Sequence, residues 1–290
     1  MSDMLLFVHR GESWYLYYAV KQARAWHPKA RIVMITDRPQ PALRRYAEIH
    51  PISSYWSTAQ AFEGVYEHFS CNEPKFERFC FQRWFVIDQF LRRHRPERAI
   101  HLDSDVLVYD NLFQDFQRPG NWDLGIVGYQ GVFSMLIPKP ELVGAFCERI
   151  TRLFTTEKAS LAQLYREWTE KSAETAMSDM HALHTFVEAN SLSTLDLGTC
   201  HEGSVYDNVL RSSDGFRMRD GYKQLFWSDR QPYAERCDTG ERVRLKTIHF
   251  QGPAKCKMVS AFTARDAGYF RDRLLEKLAR RLRPRAPKAP

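Results

Sequence analysis

No apolar run in this sequence is long enough to cross a bilayer. A membrane-spanning helix needs roughly 18 or more such residues, whereas stretches such as Met4-Leu5-Leu6-Phe7-Val8 are short. There is no Cys-x-x-Cys pair, which argues against a zinc knuckle and a thioredoxin-like dithiol. The start, Met1-Ser2-Asp3, lacks the basic lead and long apolar core of a secretion signal. The chain is therefore expected to be cytoplasmic, with its six scattered cysteines (71, 80, 147, 200, 237 and 256) reduced and buried as small hydrophobes. Internal repeats, low-complexity tracts and flexible linkers are also missing. With only 14 glycines and 14 prolines in 290 residues, and 44% hydrophobic residues, the chain is neither collagen-like nor disordered.

The body of the chain has little net charge. Residues 271–290 hold eight basic side chains against Asp272 and Glu276, so they carry six of the seven net positive charges. Nucleic-acid recognition needs a basic face on the fold itself, so a nucleic-acid partner is not expected.

What is present is an α/β pattern. Met4–His9 predicts a buried strand, and Ser13 is placed to cap a helix over 14–26 that His27-Pro28 ends. Residues 31–37 predict a second strand, stopped by Pro39 and Pro41. Strand, helix and strand in so short a span form a βαβ unit with a parallel sheet. Helices are expected over 57–69, 75–95, 141–153, 161–171 and 179–189, with strands over 99–102, 106–108, 124–129 and 132–137. From Leu192 to Phe250 the pattern turns to short strands and Asp-Gly turns, with 223–227 and 243–250 the best strand candidates. One domain over 1–265 is expected, followed by a basic helix and tail over 266–290.

Two groups of residues carry chemistry. Asp103-Ser104-Asp105 ends an apolar strand, where open α/β sheets bind ligands. Two carboxylates one residue apart can grip Mn²⁺ or Mg²⁺ through oxygen; as a bare tripeptide the pattern is weak, and its position after a strand is what strengthens it. The second group is His249-Phe250-Gln251-Gly252-Pro253-Ala254-Lys255. His249 offers a nitrogen ligand, Gly252 lets backbone approach a phosphate, and Lys255 supplies a point charge for one. The alternative for His249 is a hydrogen-bonded core histidine.

Taken together on an N-terminal βαβ unit, these residues resemble glycosyltransferases of the GT-A fold, in the branch of the glycogenin-like and lipopolysaccharide hexosyltransferases. The likeness covers about residues 4–258. It implies a Rossmann-like, mixed but mostly parallel sheet flanked by helices in a single domain. It implies transfer of a hexose from a nucleotide-diphosphate donor, UDP-linked in this branch, to a saccharide or lipid-linked acceptor. Asp103, Asp105 and His249 would hold Mn²⁺ (or Mg²⁺), Ser104 would line the donor site, and Gly252 and Lys255 would contact the diphosphate. Val8, His9, Arg10 and Asp37, at the ends of the first two strands, would form the base pocket, though Asp37 also suits a turn before Pro39. An arginine of the long helix, Arg83 or Arg78, would meet the donor. Asp179 would touch the donor sugar, and its alternative is a first-turn charge on its helix. Met180 stands where relatives carry glutamine, so the stereochemistry of transfer is not implied.

Two other functions fit parts of the pattern. A haloacid dehalogenase-type phosphatase also uses Asp-x-Asp, but Leu107 stands where that motif continues with Thr or Val. A non-catalytic sugar-nucleotide-binding protein could use the same fold. Finally, Leu274, Leu275, Leu278 and Leu282 recur at helical spacing among basic residues. Residues 271–290 are thus expected either to touch an anionic membrane surface or to pack on the domain and end in a solvated tail.

Overall fold

A computed structural model describes residues 3–38, 40–128 and 131–282, with side chains as far as Leu274. The N-terminal half alternates strand and helix: β1 (Asp3–His9), α1 (Leu16–Trp26), β2 (Arg31–Thr36), β3 (Glu48–Pro51), α2 (Ser57–Glu63), α3 (Pro74–His94), β4 (Arg98–Leu102) and β5 (Val106–Val108). Then follow β6 (Leu124–Val127), β7 (Gly131–Ile137), α4 (Leu142–Phe154), α5 (Lys158–Thr169), α6 (Asp179–Ala189), β8 (Thr194–Asp196) and β9 (Ser204–Tyr206). The chain ends in β10 (Met218–Arg219), β11 (Tyr222–Lys223), β12 (Leu225–Ser228), β13 (Gln231–Glu235), β14 (Arg242–His249), α7 (Met258–Ala261) and α8 (Ala267–Leu282).

The main sheet has the order β3-β2-β1-β4-β7-β6-β8. Its strands share one direction except β7, which runs antiparallel to both neighbours. Strand β1 sits near the middle and is covered on both faces, which explains its uninterrupted apolar run. Leu5 and Phe7 join one apolar cluster with α1 and the C-terminal segments, while Met4, Leu6 and Val8 join another with α2, α3, α4 and α6. A smaller sheet, β12-β13-β14-β5 with β9 beside β14, packs at the end of the first.

Helix α3 has the strongest local signals. Glu73 accepts from the Phe76 backbone N–H at 2.8 Å, Pro74 takes the first turn, and Arg95 adopts a left-handed φ of 45° just before Pro96. Elsewhere the boundaries shift. Helix α1 starts at Leu16 with Tyr15 at its cap, because the Ser13 hydroxyl is engaged by His9 Nε2 at 3.1 Å. The helix expected over 57–69 stops at Glu63, before Gly64. The strand expected over 223–227 is broken at Gln224 into β11 and β12.

The cysteines do not follow expectation. All six are free, but only Cys147 is buried; Cys71, Cys200, Cys237 and Cys256 are exposed, because they lie outside the layered sheets and helices that form the core. The C-terminal helix begins at Ala267 and is docked on the body. Asp272 is 6% exposed and accepts from the Tyr17 and Tyr46 hydroxyls at 3.0 and 2.6 Å. Phe270 and Leu274 face solvent. Leu275, Leu278 and Leu282, the basic residues after Leu274, and Pro39 and Tyr129 at two predicted strand ends lie outside the described side chains or residues. Among the described residues no helix is long and apolar enough to cross a membrane.

Candidate active site

The pairing of β5 with β14 builds the site. Strand β4 ends at Leu102, Asp103-Ser104-Asp105 turns, and β5 leaves for the smaller sheet, where Val106 pairs with His249. The backbone N–H of Phe250 donates to the Asp105 carbonyl at 2.9 Å. This register brings the late histidine beside the early acids. Asp103, Asp105 and His249 each place a ligand-capable atom within 4.8 Å of the other two.

The imidazole is oriented from behind. His249 Nδ1 lies 2.9 Å from the Asn208 carbonyl oxygen, which can only accept, so in the neutral ring Nδ1 carries the proton and Nε2 keeps its lone pair. Phe133 stacks on the ring at 4.2 Å. Asp207 accepts from the His249 backbone N–H at 3.1 Å and is held in turn by the buried Lys223 ammonium, which also reaches Asp214 and the Val209 carbonyl.

Charges flank the cluster. Lys255 Nζ lies 2.7 Å from Asp105 Oδ2, and His249 Nε2 is 3.5 Å from Asp105 Oδ1. Arg83 bridges two acids: Nη1 donates to Asp103 at 2.5 Å and Nη2 to Asp179 Oδ2 at 2.7 Å. Arg83 Nε also donates to this Asp179 oxygen at 3.2 Å, and Trp84 Nε1–H adds a third bond to it, at 2.9 Å. Burial disfavours the Asp103 carboxylate, yet Arg83, His101 and His249 together hold it well below the usual range. Asp105 is likewise depressed against burial, mainly by His249. Burial opposes protonation of His249, but Asp105 and Asp103 outweigh it and push the ring upward. Fully buried His101 sits 3.4 Å from Asp103 with neither ring nitrogen in a hydrogen bond.

The other predicted residues are placed as follows. His9 Nδ1 is 2.9 Å from Ser104 Oγ, which ties β1 to the acidic turn, and burial lowers its pKa. Asp37 is exposed and accepts from the Gly11 N–H at 2.7 Å, closing the loop after β1. Arg10 lies over the Trp56 ring at 5.5 Å. The Val8 side chain is in the core, leaving its main chain as what it can offer a ligand. Gly252 has a φ of +57°, a left-handed turn that favours glycine, with open space where a Cβ would stand. The two arginines separate: Arg78 pairs with Glu63 at 2.9 Å, away from the acids, while Arg83 is within the cluster. Asp179 opens its helix but is turned onto Arg83 and Trp84 rather than capping.

No protein-family profile and no curated protein sequence matches this chain. Solved structures do. WbbM, a bifunctional glycosyltransferase, aligns over 93% of this chain at 11% identity with a TM-score of 0.50. The chain spans about half the length of that protein, 51%. The chain has the GT-A glycosyltransferase fold. Two further similar structures are the galactosyltransferase LgtC in complex with donor and acceptor sugar analogs, and a glycosyltransferase involved in glycosylation of the major capsid of PBCV-1. LgtC aligns at 14% identity over 98% of both chains, TM-score 0.49. The PBCV-1 enzyme aligns at 10% identity over 91% of this chain and 100% of its own, TM-score 0.47. Trp84, His101, Asn208, Asp207 and Lys223 were not singled out from sequence. Only His101 carried a signal, lying two residues before Asp103 on the strand that leads into the acidic turn.

Proposed function

We propose that this protein is a metal-dependent glycosyltransferase that moves a hexose from a nucleotide-diphosphate donor, UDP-linked, to a saccharide or lipid-linked acceptor. The observation that carries this is the convergence of Asp103, Asp105 and His249 at the carboxyl end of the central strands of a GT-A fold. Two carboxylates and one imidazole suit Mn²⁺ or Mg²⁺, and the Asn208 carbonyl already sets the imidazole tautomer for ligation. When bound, the cation would offset the charge that grows on the leaving diphosphate.

The chain's own residues do the rest. Asp103, Asp105 and His249 hold the cation. Lys255, now on Asp105, provides a positive charge that can turn to the diphosphate. Gly252 gives its turn the left-handed backbone that lets main chain approach phosphate. Val8, His9, Arg10 and Asp37 surround the base, with Ser104 tied to His9. Arg83 locks Asp179 and Asp103 in one geometry, and Asp179 positions the donor sugar for attack by the acceptor hydroxyl. The basic segment 271–290 holds the enzyme at an anionic membrane surface, with exposed Phe270 and Leu274 facing it.

The test is hydrolysis of a panel of UDP-, GDP- and dTDP-sugars with Mn²⁺. Donor cleavage that stops in excess chelator supports the proposal. Full activity in chelator overturns metal dependence, and donor binding without cleavage favours the non-catalytic alternative. Sedimentation with anionic vesicles at low and high salt tests the membrane contact; no binding even at low salt overturns it.

A further inference from the structure

A concavity of about 290 Å³ opens beside the Gly252–Lys257 turn, and none of Asp103, Asp105, His249 or Lys255 lines it. Its walls come from the β10–β11 hairpin and β12 on one side and from Lys257 and α7 on the other, with buried Phe250 between. Trp227 on β12 is the main feature. The residue is 44% exposed, so part of the indole is open to a ligand. It is nonetheless held in place, edge-on to buried Tyr109 at 5.7 Å and 70°. Strand β12 pairs with β13, and β13 with β14, so the indole stands on the same sheet that carries His249.

The polar groups around the indole are of both kinds. Lys257 Nζ lies 5.2 Å over the Tyr222 ring and forms no ion pair among the described residues. Arg219 and Asp220 at the hairpin tip form a loose, exposed ion pair at 3.7 Å, which leaves a donor and an acceptor at the mouth of the cleft. Ser260 spends its hydroxyl proton on the Lys257 carbonyl at 2.8 Å, so its oxygen is left to accept. A pyranose has an apolar C–H face and a rim of hydroxyls that both donate and accept. It needs an aromatic platform flanked by groups of both kinds, which this cleft provides. The volume sits at the small end of ligand sites, which run roughly 300–1,000 Å³. That suits one or two sugar rings, and it is far from the broad face a protein partner needs.

We propose that this cleft is a saccharide-binding subsite. Trp227 stacks on one pyranose ring, and Lys257, Ser260 and Asp220 meet its hydroxyls. Its assignment to the acceptor, though not the binding itself, rests on the glycosyltransferase reading. The turn 252–257 then serves two ligands, with Lys255 directed to the metal cluster and Lys257 to the glycan.

The experiment applies the full-length protein, without metal or nucleotide sugar, to an array of immobilised mono- and oligosaccharides. The tightest ligand is then titrated in solution. A restricted set of bound glycans is expected, with affinity at least tenfold weaker in Trp227→Ala and partly kept in Trp227→Phe. Ser260→Trp, which fills the cleft from the opposite wall, should abolish binding even if Trp227→Ala folds poorly. UDP binding with Mn²⁺ should be unchanged in all three. No bound glycan, or unchanged affinity in folded Trp227→Ala and Ser260→Trp, overturns the subsite. Glycan binding without donor hydrolysis would keep the subsite and overturn the enzyme, and donor hydrolysis without glycan binding would do the reverse.

Discussion

Two ionic clusters in this chain differ in how fully the chain itself takes up their carboxylate oxygens. Around Asp115, Arg118 Nε donates to Oδ1 at 2.7 Å and Lys246 donates to both oxygens, at 2.8 and 2.9 Å. The Tyr206 hydroxyl donates to Oδ2 at 2.8 Å. Each oxygen of Asp115 is therefore taken twice by the chain itself. In the Asp103–Asp105–His249 cluster, Arg83 bonds only Oδ1 of Asp103 and Lys255 pairs with Oδ2 of Asp105, and His249 Nε2 faces Asp105 at 3.5 Å. A closed cluster of buried charge serves the fold. An open one, part-exposed at Asp103 and Lys255, keeps carboxylate oxygens available to a ligand that completes it.

Breaking each cluster should therefore have opposite consequences. Asp105→Ala is expected to lower donor hydrolysis at least about a hundredfold while leaving the melting temperature within a few degrees of the parent. Asp115→Ala strands Lys246 and Arg118 and should cost about 3–5 kcal/mol of stability, read by urea unfolding. Nearly normal specific activity is expected in whatever fraction stays folded. If both variants lose activity and stability in parallel, the distinction fails.

A buried histidine away from the candidate site sharpens the same contrast through pH. His27 is closed: Nδ1 donates to the Ala23 carbonyl at 3.0 Å, and Nε2 accepts from the Leu112 N–H at 3.0 Å. Burial pushes its pKa from 6.5 down to about 4. The unfolded chain therefore binds this proton first as pH falls. Stability is fully present above pH 6.5 and is lost between 6.5 and 4, by up to about 3 kcal/mol at about 1.4 kcal/mol per pH unit. Urea unfolding at pH 7 and pH 4.5 should show this loss, and His27→Gln should show less of it. An equal loss in both proteins would remove His27 as the cause.

The smallest effect concerns the support of Asp179. Trp84→Phe removes one donor and keeps Arg83, so it should cost about 1.5–3 kcal/mol and lower donor hydrolysis less than tenfold. A loss as large as that of Asp105→Ala would place Trp84 closer to the chemistry than its geometry does.

Much of the fold and the centre of the candidate site could be read from residues alone, for physical reasons. The apolar run Met4–Val8 and the strand before Asp103 are buried on both faces, so hydrophobicity marks them directly. The acids and the His249–Lys255 segment carry chemistry in their spacing. Arg78 and Arg83 could not be told apart, because both lie on one long helix and only its packing against Asp179 selects Arg83. Lys223, Asp207 and Asn208 were invisible because strands of two or three residues leave no periodicity. Their partnership with His249 depends on a tertiary register. The exposed cysteines and the start of α1 at Leu16 were misjudged for a related reason: solvent contact and a competing hydrogen bond from His9 are properties of the folded chain.

The most direct measurement is calorimetric titration of UDP into the parent protein and into His249→Ala, each with Mn²⁺ and with chelator. The account predicts that Mn²⁺ tightens UDP binding to the parent by at least tenfold and has little effect on the variant. Equal UDP affinity in Mn²⁺ and in chelator for the parent, or the same Mn²⁺ dependence in both proteins, would contradict it.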